Sequence, residues 1–317
     1  MRKMEIMPTD PQVIQWTPEL VIDDSFEGVV AGMPQSVYFA TKRFSTSRMK
    51  YLVYELRGSS LQYWAIFITM IKKIKIANAG KGTLQHSVLL EGRQAFDDLC
   101  RICQVDLSAY SKPKSSEYWK KDKAKAEAEG KILLLPGELQ HYEHVIESIT
   151  RQKVQRKNRV INLIDLFKGG LAELSIFTNY PGTDTPFQIR VDYARIHDPI
   201  TNLIDLKTVS GTSMPEVWKG QAYRLGAHIQ AYVYPMIYEK VLGVRPDWNW
   251  VVMEQDFPHE ARLVPPEDDM LDIGKEHAEE AMDLYQYCMR TGDWFQPSKV
   301  TKLPRPFFAN YLRGQEE

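Results

Sequence analysis

Apolar and polar residues alternate most clearly in the middle of the chain. Residues 187–196 and 203–209 both carry apolar and β-branched side chains in the short-period pattern of a strand. Residues 197–202 between them contain Asp, Pro and Asn, which favour a turn. This part of the sequence therefore predicts two strands that pair as a β-hairpin.

The segments around this hairpin combine the helical period with a further strand. We predict a strand at residues 247–253 and a β-rich segment at 159–177. Helices are predicted at residues 45–77 (a helix pair), 83–103, 138–156, 215–242 and 268–290. The order strand, strand, helix, strand, helix indicates an α/β or α+β fold, with helices packed on a mixed central sheet.

The two ends of this pattern set the expected domain limits. Residues 1–40 show no strong period, and we interpret them as an N-terminal lead-in. Residues 41–310 are expected to form a single domain. Within it, residues 108–130 are rich in Lys, Glu, Ala and Ser, which indicates a variable charged insertion, either an exposed helix or a mobile loop.

Composition and charge exclude several classes of protein. Of 317 residues, 44% are hydrophobic and 11% aromatic, enough for a substantial core. The net charge of −1 argues against a protein that coats nucleic acid, so any such contact must be local. The sequence has no apolar run that could span a bilayer, and its start lacks the layout of an export signal. We therefore expect a protein of the cytoplasm, with no membrane partner.

Cysteine usage agrees with a reducing compartment. Cys100, Cys103 and Cys288 are too few for a disulfide framework. Cys100 and Cys103 form a lone CxxC, and a four-thiolate metal site would need a fourth sulfur. The alternative is that the two small side chains share one face of a helix.

The second strand of the hairpin carries the candidate chemistry. Asp205 and Lys207 are two apart and project from one face, whereas Ile204 and Leu206 project from the other. The hairpin can bring Asp192 beside Asp205, and two facing carboxylates favour a hard divalent cation such as Mg²⁺. Lys207 could then orient or deprotonate a water and offset charge on the transition state.

A structural salt bridge between Asp205 and Lys207 is the competing interpretation. The sequence Ile164-Asp-Leu-Phe167 shows that half of the motif arises by chance. The neighbouring residues favour the functional interpretation. Asp192, the hairpin, Asp205-Leu-Lys207 and then a helix with Gln230 and Tyr234 resemble the RecB-like branch of the PD-(D/E)XK nucleases.

The resemblance extends over roughly residues 40–308. Residues 45–50, 82–91 and 173–175, and then 251–254 with Pro258, 271–274, and 288–294 with 303–304, are similar in order to segments of the exodeoxyribonuclease VIII (RecE-type) family of phages and prophages. This resemblance implies a restriction-endonuclease-like core. Val191 stands where the proline of the name-giving PD would be.

The resemblance also implies roles for individual residues. Asp192 and Asp205 would bind the metal together with His86, Glu173 and the backbone carbonyl of Leu206. Gln230 would act beside Asp192, Asp205 and Lys207 in catalysis, and Tyr234 would contact the substrate. The residues alone leave alternatives open. His86 could be an ordinary core or surface histidine. Gln230 and Tyr234 could serve packing, and the nearby His228 could compete with them for a functional role.

The function implied is that of a Mg²⁺-dependent exonuclease, with Mn²⁺ able to substitute. It would degrade linear duplex DNA from the 5′ end and leave 3′ single strands for an annealing protein. Such enzymes resemble rings, so a homo-oligomer is expected, in the host cytoplasm if a phage encodes the protein. The alternatives are an endonuclease or structure-specific nuclease of the same fold, and a non-catalytic DNA-binding protein.

Overall fold

A mixed β-sheet forms the centre of the protein. The computed structural model describes residues 13–71, 84–105, 110–156, 159–195 and 202–297. The strands in these ranges are β1 (Val13–Gln15), β2 (Gly28–Ala31), β3 (Cys100–Ile102), β4 (Ile132–Leu134), β5 (Lys153–Arg156), β6 (Arg159–Asn162), β7 (Leu171–Asn179), β8 (Pro186–Arg195), β9 (Asn202–Val209), β10 (Asp247–Glu254) and β11 (Ala261–Val264). The central sheet has the order β1-β2-β7-β8-β9-β10-β11, and β3-β4 and β5-β6 form two small sheets.

Helices lie on both faces of this sheet. They are α1 (Gln35–Ala40), α2 (Thr46–Met49), α3 (Ser60–Tyr63), α4 (residues 84–86), α5 (Arg93–Leu99), α6 (Glu117–Ala128), α7 (Pro136–Arg151), α8 (Pro215–Leu225), α9 (Ala227–Leu242) and α10 (Asp268–Thr291). Short 3₁₀ turns lie at Tyr54–Leu56, Pro113–Ser115 and Leu163–Phe167, and π-helical turns at Trp64–Ile68 and Ser87–Glu91. Strands β9 and β10 are parallel, whereas β7, β8 and β9 are antiparallel. The predicted fold class, a mixed sheet flanked by helices, is confirmed.

The predicted hairpin is present as β8 and β9. Tyr193 pairs with Ile204, and Ala194 pairs with Leu203. The predicted turn at residues 197–202 lies outside the described residues except for Asn202, which begins β9. The register fixes which side chains of β9 share a face.

The two faces of β9 belong to different hydrophobic cores. Ile204 and Leu206 pack in the core that helix α7 covers, with Val145 and Ile149 of that helix. Leu203 and Val209 pack in the other core, which includes Ile229, Val233 and Ile237 of α9. Because side chains alternate along a strand, Asp205 and Lys207 lie on the α9 face.

The prediction of one long helix at residues 215–242 is wrong, because the chain forms two helices there. Helix α8 ends at Leu225, and Gly226 adopts a left-handed conformation with φ of 74° before α9 begins. Glycine reaches this conformation without steric cost. The break redirects the chain so that α9 runs along the sheet.

The helix predicted at residues 83–103 also ends early. Helix α4 continues into the π-helical turn Ser87–Glu91, α5 follows, and Cys100 then starts β3, which pairs in parallel with β4. Cys100 and Cys103 are therefore not neighbours on one helix face, and both are buried thiols.

Two segments expected at the margins of the domain contact its interior. In the expected lead-in, β2 pairs with β7 and β1 with β2, so that both join the central sheet. In the charged insertion, helix α6 buries Trp119 and Ala126 beside Leu133. No helix among the described residues is both long enough and apolar enough to cross a bilayer.

Candidate metal centre

Three candidate ligands come together beside strands β7 and β8. His86 lies at the end of α4, Glu173 on β7 and Asp192 on β8. Each of the three offers one ligand atom, and these atoms lie within 4.8 Å of one another. Nδ1 of His86 is 3.7 Å from Oδ2 of Asp192. This spacing matches atoms that could share one cation.

Asp205 and Lys207 lie beside this group on β9. Nζ of Lys207 is 2.7 Å from Oδ1 and 2.6 Å from Oδ2 of Asp205. The side chain of Asp205 is 3% exposed and that of Lys207 is 22% exposed. Asp192 is tied to the same strand, because its Oδ2 accepts a hydrogen bond of 2.8 Å from the backbone N–H of Leu206.

Burial raises the pKa of both aspartates. It raises the pKa of Asp192 to about 6, with Lys207 opposing the shift and Glu173 adding to it. Burial likewise raises the pKa of Asp205 to about 6, against the charge of Lys207 and with a contribution from Asp192. Each carboxylate thus lacks enough positive charge nearby for its burial, and a divalent cation would supply it.

The pKa values of Lys207 and His86 shift in opposite directions. Burial would lower the pKa of Lys207, but the carboxylates of Asp205 and Asp192 outweigh it and raise the pKa above its usual value. Burial and the charge of Lys207 lower the pKa of His86. These shifts favour the cationic form of Lys207 and the neutral form of His86, which is the form that binds metals.

The backbone at Glu173 departs from regular strand geometry. Glu173 has φ of 52°, in the left-handed region that residues other than glycine rarely adopt. The β7–β8 pairs on either side join Ala172 to Tyr193 and Leu174 to Val191. Such strain costs on the order of 1–3 kcal/mol and concentrates at functional sites. With this backbone conformation, the Glu173 carboxylate lies close to His86 and Asp192.

The donor set fits a divalent cation that prefers oxygen. Carboxylates with one imidazole suit Mg²⁺ or Mn²⁺ better than the thiolate sites of zinc. Oδ2 of Asp205 is buried and, within the described residues, accepts no well-directed hydrogen bond, although Lys207 Nζ is close to it. The backbone carbonyl of Leu206 faces His86. Asp205 adjoins the three-residue group but is engaged by Lys207.

Gln230 and Tyr234 lie on α9, the helix next to Asp205 and Lys207. Nε2 of Gln230 is 3.5 Å from the hydroxyl of Tyr234, the outer limit for a hydrogen bond. Tyr234 is buried and makes an edge contact with Trp248 at 5.4 Å. Asp205 raises the pKa of Tyr234 in addition to burial, so the phenol lies close to β9.

His228, the histidine expected to compete with Gln230 and Tyr234, lies away from the carboxylates. Its Nε2 is 2.8 Å from Nδ1 of His277 on α10, and its ring stacks on Tyr223. It is fully buried between the helices. The structure therefore places His86, and not His228, with the carboxylates.

The sequence analysis missed three charged residues near the centre. Arg190 precedes Asp192 by two positions on β8 and donates to Glu173. Burial and the charge of Lys207 lower the pKa of Lys50, and burial and Glu173 raise the pKa of Glu91. The period of two along β8 could have identified Arg190, since it shares the face of Asp192.

Comparisons with known proteins give a family and a fold. Residues 81–301 match the family model described as a PDDEXK-like domain of unknown function, DUF3799. The crystal structure of a "Putative exonuclease" from Eubacterium rectale superposes with a TM-score of 0.55 at 14% identity, over 88% of this chain and 97% of that one. The crystal structure of SSO0001 gives a TM-score of 0.26 at 16% identity, over 44% of this chain and 67% of that one. No curated protein matches the sequence.

Proposed function

Because the chain belongs to the PDDEXK-like family DUF3799, we propose that it is a metal-dependent nuclease that hydrolyses DNA. One observation carries the proposal. His86, Glu173 and Asp192 converge beside the buried pair of Asp205 and Lys207. A scaffold that only bound DNA would gain nothing from burying these charges together, since their desolvation opposes folding.

We propose that Asp192, Asp205, His86, Glu173 and the Leu206 carbonyl hold a divalent cation. When bound, the cation supplies Lewis-acid polarisation of the scissile phosphate and lowers the pKa of a water. Mg²⁺ is the ion that we propose, with Mn²⁺ as a substitute, because the donors are mostly hard oxygens.

Lys207 supplies a positive charge beside the attacking water and the scissile phosphate. Its ammonium is held by Asp205, and its raised pKa keeps it protonated at neutral pH. In that form it donates hydrogen bonds, orients the attacking water and stabilises negative charge on the phosphate as it develops. Asp205 thus positions Lys207 and at the same time faces the cation.

Gln230 and Tyr234 complete this face from α9. We propose that Gln230, which is half-buried, contacts the water or the scissile phosphate. The buried Tyr234 supports Gln230 and the catalytic strand, and its hydroxyl reaches substrate only at the edge of the site.

Within this class we propose an exonuclease on linear duplex DNA that works from the 5′ end. The support is the resemblance of residues 40–308 to the RecE-type family, together with the fold shared with the E. rectale protein. Such an enzyme would be a ring-shaped homo-oligomer and would leave 3′ strands for an annealing protein. Three free, buried thiols fit action in the reducing cytoplasm, that of the host if a phage encodes the chain.

Digestion of end-labelled linear DNA and closed circular DNA tests the proposal. With Mg²⁺ the linear form should be degraded from its 5′ ends while the circle persists, and EDTA should stop the reaction. Asp205→Asn should be inactive because it removes a carboxylate from the centre. Asp165→Asn is the matched control, since Asp165 also precedes a leucine but is half-exposed and paired with Lys168.

The other outcomes separate the alternatives. Cutting of the circle would identify an endonuclease of the same fold. A protein that shifts DNA in a gel but leaves every form uncut, with Mg²⁺ or Mn²⁺, would be a DNA-binding protein and would sink the nuclease proposal.

A further inference from the structure

Arg190 contacts the acidic residue of the cluster directly. Its Nε donates to Oε2 of Glu173, and its Nη1 donates to Oγ of Ser175 at 3.1 Å. Its guanidinium lies 5.5 Å from the centre of the Tyr38 ring. The side chain is only 11% exposed. Three different contacts therefore hold this arginine in one position.

Glu173 needs such an anchor more than an ordinary strand residue does. Its φ of 52° is unfavourable for a side-chain-bearing residue, and its side chain is 20% exposed. A glutamate has several rotamers that would carry its carboxylate away from the cluster. The planar guanidinium is also bonded to Ser175, so its Nε–H meets Glu173 from a fixed direction and restricts those rotamers.

The geometry of the carboxylate allows it to serve two partners. Arg190 engages Oε2 of Glu173, and the lone pairs of Oε1 are not used in that bond. Arg190 and Asp192 project from the same face of β8, so the anchor and a ligand are built into one strand. Glu173, a proposed ligand of the metal, is thus held by Arg190. Carboxylate ligands in metal sites are commonly oriented by such hydrogen bonds.

We propose that Arg190 is a positioning residue that holds Glu173 against His86 and Asp192 so that the three can share one divalent cation. This inference rests on the proposed function as a metal-dependent nuclease. It assigns Arg190 an effect on metal affinity through Glu173, and not a contact with DNA.

Titration with Mn²⁺ tests the inference without any need for cutting. Free Mn²⁺ is measured by electron paramagnetic resonance for the wild type and for Arg190→Gln, Arg190→Lys and Glu173→Gln. Arg190→Gln should weaken Mn²⁺ binding about 10- to 100-fold. Arg190→Lys should restore part of the affinity, because an ammonium keeps the charge but lacks the fork.

Two controls separate positioning from general damage. Arg101 lies on β3, outside the metal cluster, and is also paired with carboxylates, those of Glu129 and Asp122. Arg101→Gln should therefore leave Mn²⁺ affinity unchanged. The double variant Arg190→Gln/Glu173→Gln should bind Mn²⁺ no more weakly than Glu173→Gln alone, since the two residues act through one carboxylate.

Each contrary result has a distinct meaning. Wild-type Mn²⁺ affinity in folded Arg190→Gln or Arg190→Lys would overturn the inference, and so would additive losses in the double variant. A raised KM for DNA with unchanged Mn²⁺ affinity would also overturn it, because it would place Arg190 on the substrate. A wild-type protein that cuts no DNA would end the nuclease proposal while the Mn²⁺ titrations remained interpretable.

Discussion

Lys207 has two possible uses, and its replacement separates them. It neutralises the buried Asp205, and in the proposed reaction it also acts on the water and the phosphate. Lys207→Met keeps the length of the side chain and removes the charge. We expect DNA cutting to fall by at least about 100-fold, the usual contribution of a positioned proton-transfer or charge-stabilising group. Mn²⁺ binding should persist, because no metal ligand is lost.

Lys219→Met is the control for the loss of a lysine. Lys219 is exposed on α8 and pairs with Glu216 three positions away. Its replacement should leave both cutting and Mn²⁺ binding unchanged. If Lys207→Met cut DNA as the wild type does, Lys207 would be only the structural partner of Asp205.

The raised pKa values of Asp192 and Asp205 predict how the effect of the metal on stability depends on pH. Both pKa values are about 6 in the folded protein, above the usual value of 3.8. Between these values the folded state binds more protons than the unfolded state, so the metal-free protein loses stability as pH rises. Above this range both carboxylates are ionised and ready to bind a cation.

Thermal denaturation with and without Mg²⁺ measures this dependence. The rise in Tm caused by Mg²⁺ should be larger at about pH 8 than at about pH 5, because protons compete with the cation for the same oxygens. In the Asp192→Asn/Asp205→Asn variant the Mg²⁺ effect should be small at both pH values. A Tm shift in the wild type that is equal at both would show that these carboxylates do not bind the ion.

Sequence periodicity reveals some of the site residues but cannot reveal the others. Asp205 and Lys207 are two apart on an alternating strand, and Asp192 is joined to them by a hairpin, so local patterns are sufficient. His86 and Glu173 lie far from them along the chain, and only the resemblance suggested them. Arg190 was missed, because an arginine in a strand reads equally well as a solvent-exposed residue.

At the scale of elements, α9 and α10 approach closely at a glycine. A Cβ on Gly274 of α10 would overlap the backbone carbonyl oxygen of His228 and lie 3.0 Å from its carbon. Backbone atoms cannot rotate away as a side chain can. We therefore expect Gly274→Ala to destabilise the protein by about 1–3 kcal/mol in urea unfolding, as overpacking in a core does.

Gly220→Ala is the matched substitution in helix α8. The nearest atom to its added Cβ is Nη1 of Arg224 at 3.8 Å, the end of a flexible side chain. Since alanine favours a helix over glycine by about 1 kcal/mol, this variant should be slightly more stable than the wild type. Equal effects of the two substitutions would mean that α9 and α10 are not packed as closely as the structure has them.

The elements themselves were predictable where local signals agreed with the tertiary structure. Strands β8, β9 and β10 and helix α10 follow the alternation, turn and cap signals of the sequence. The break at Gly226 was missed because apolar residues continue with a helical period through it. Strand β3 was missed because its partner β4 lies about 30 residues further on, and pairing at that distance has no local signal.

The whole molecule has a nearly balanced charge, which limits how it could stay on DNA. With a net charge of −1, the protein as a whole is only weakly attracted to the DNA phosphates, so processive digestion would need another means of retaining the DNA. A ring closed around the duplex supplies one, because the DNA cannot leave until its end passes through. The proposed homo-oligomer would therefore account for processive cutting without a strongly basic protein.

Native mass and a competitor experiment test this pair of properties. The native mass should be a whole-number multiple, two or more, of the chain mass of 36.7 kDa. Excess unlabelled linear DNA, added after the reaction has started, should leave digestion of the bound labelled DNA almost unchanged. Raised salt should slow loading much more than it slows the digestion already under way, because screening weakens the first encounter but cannot open a closed ring. A monomer that releases its substrate into the competitor would exclude both the ring and processive cutting.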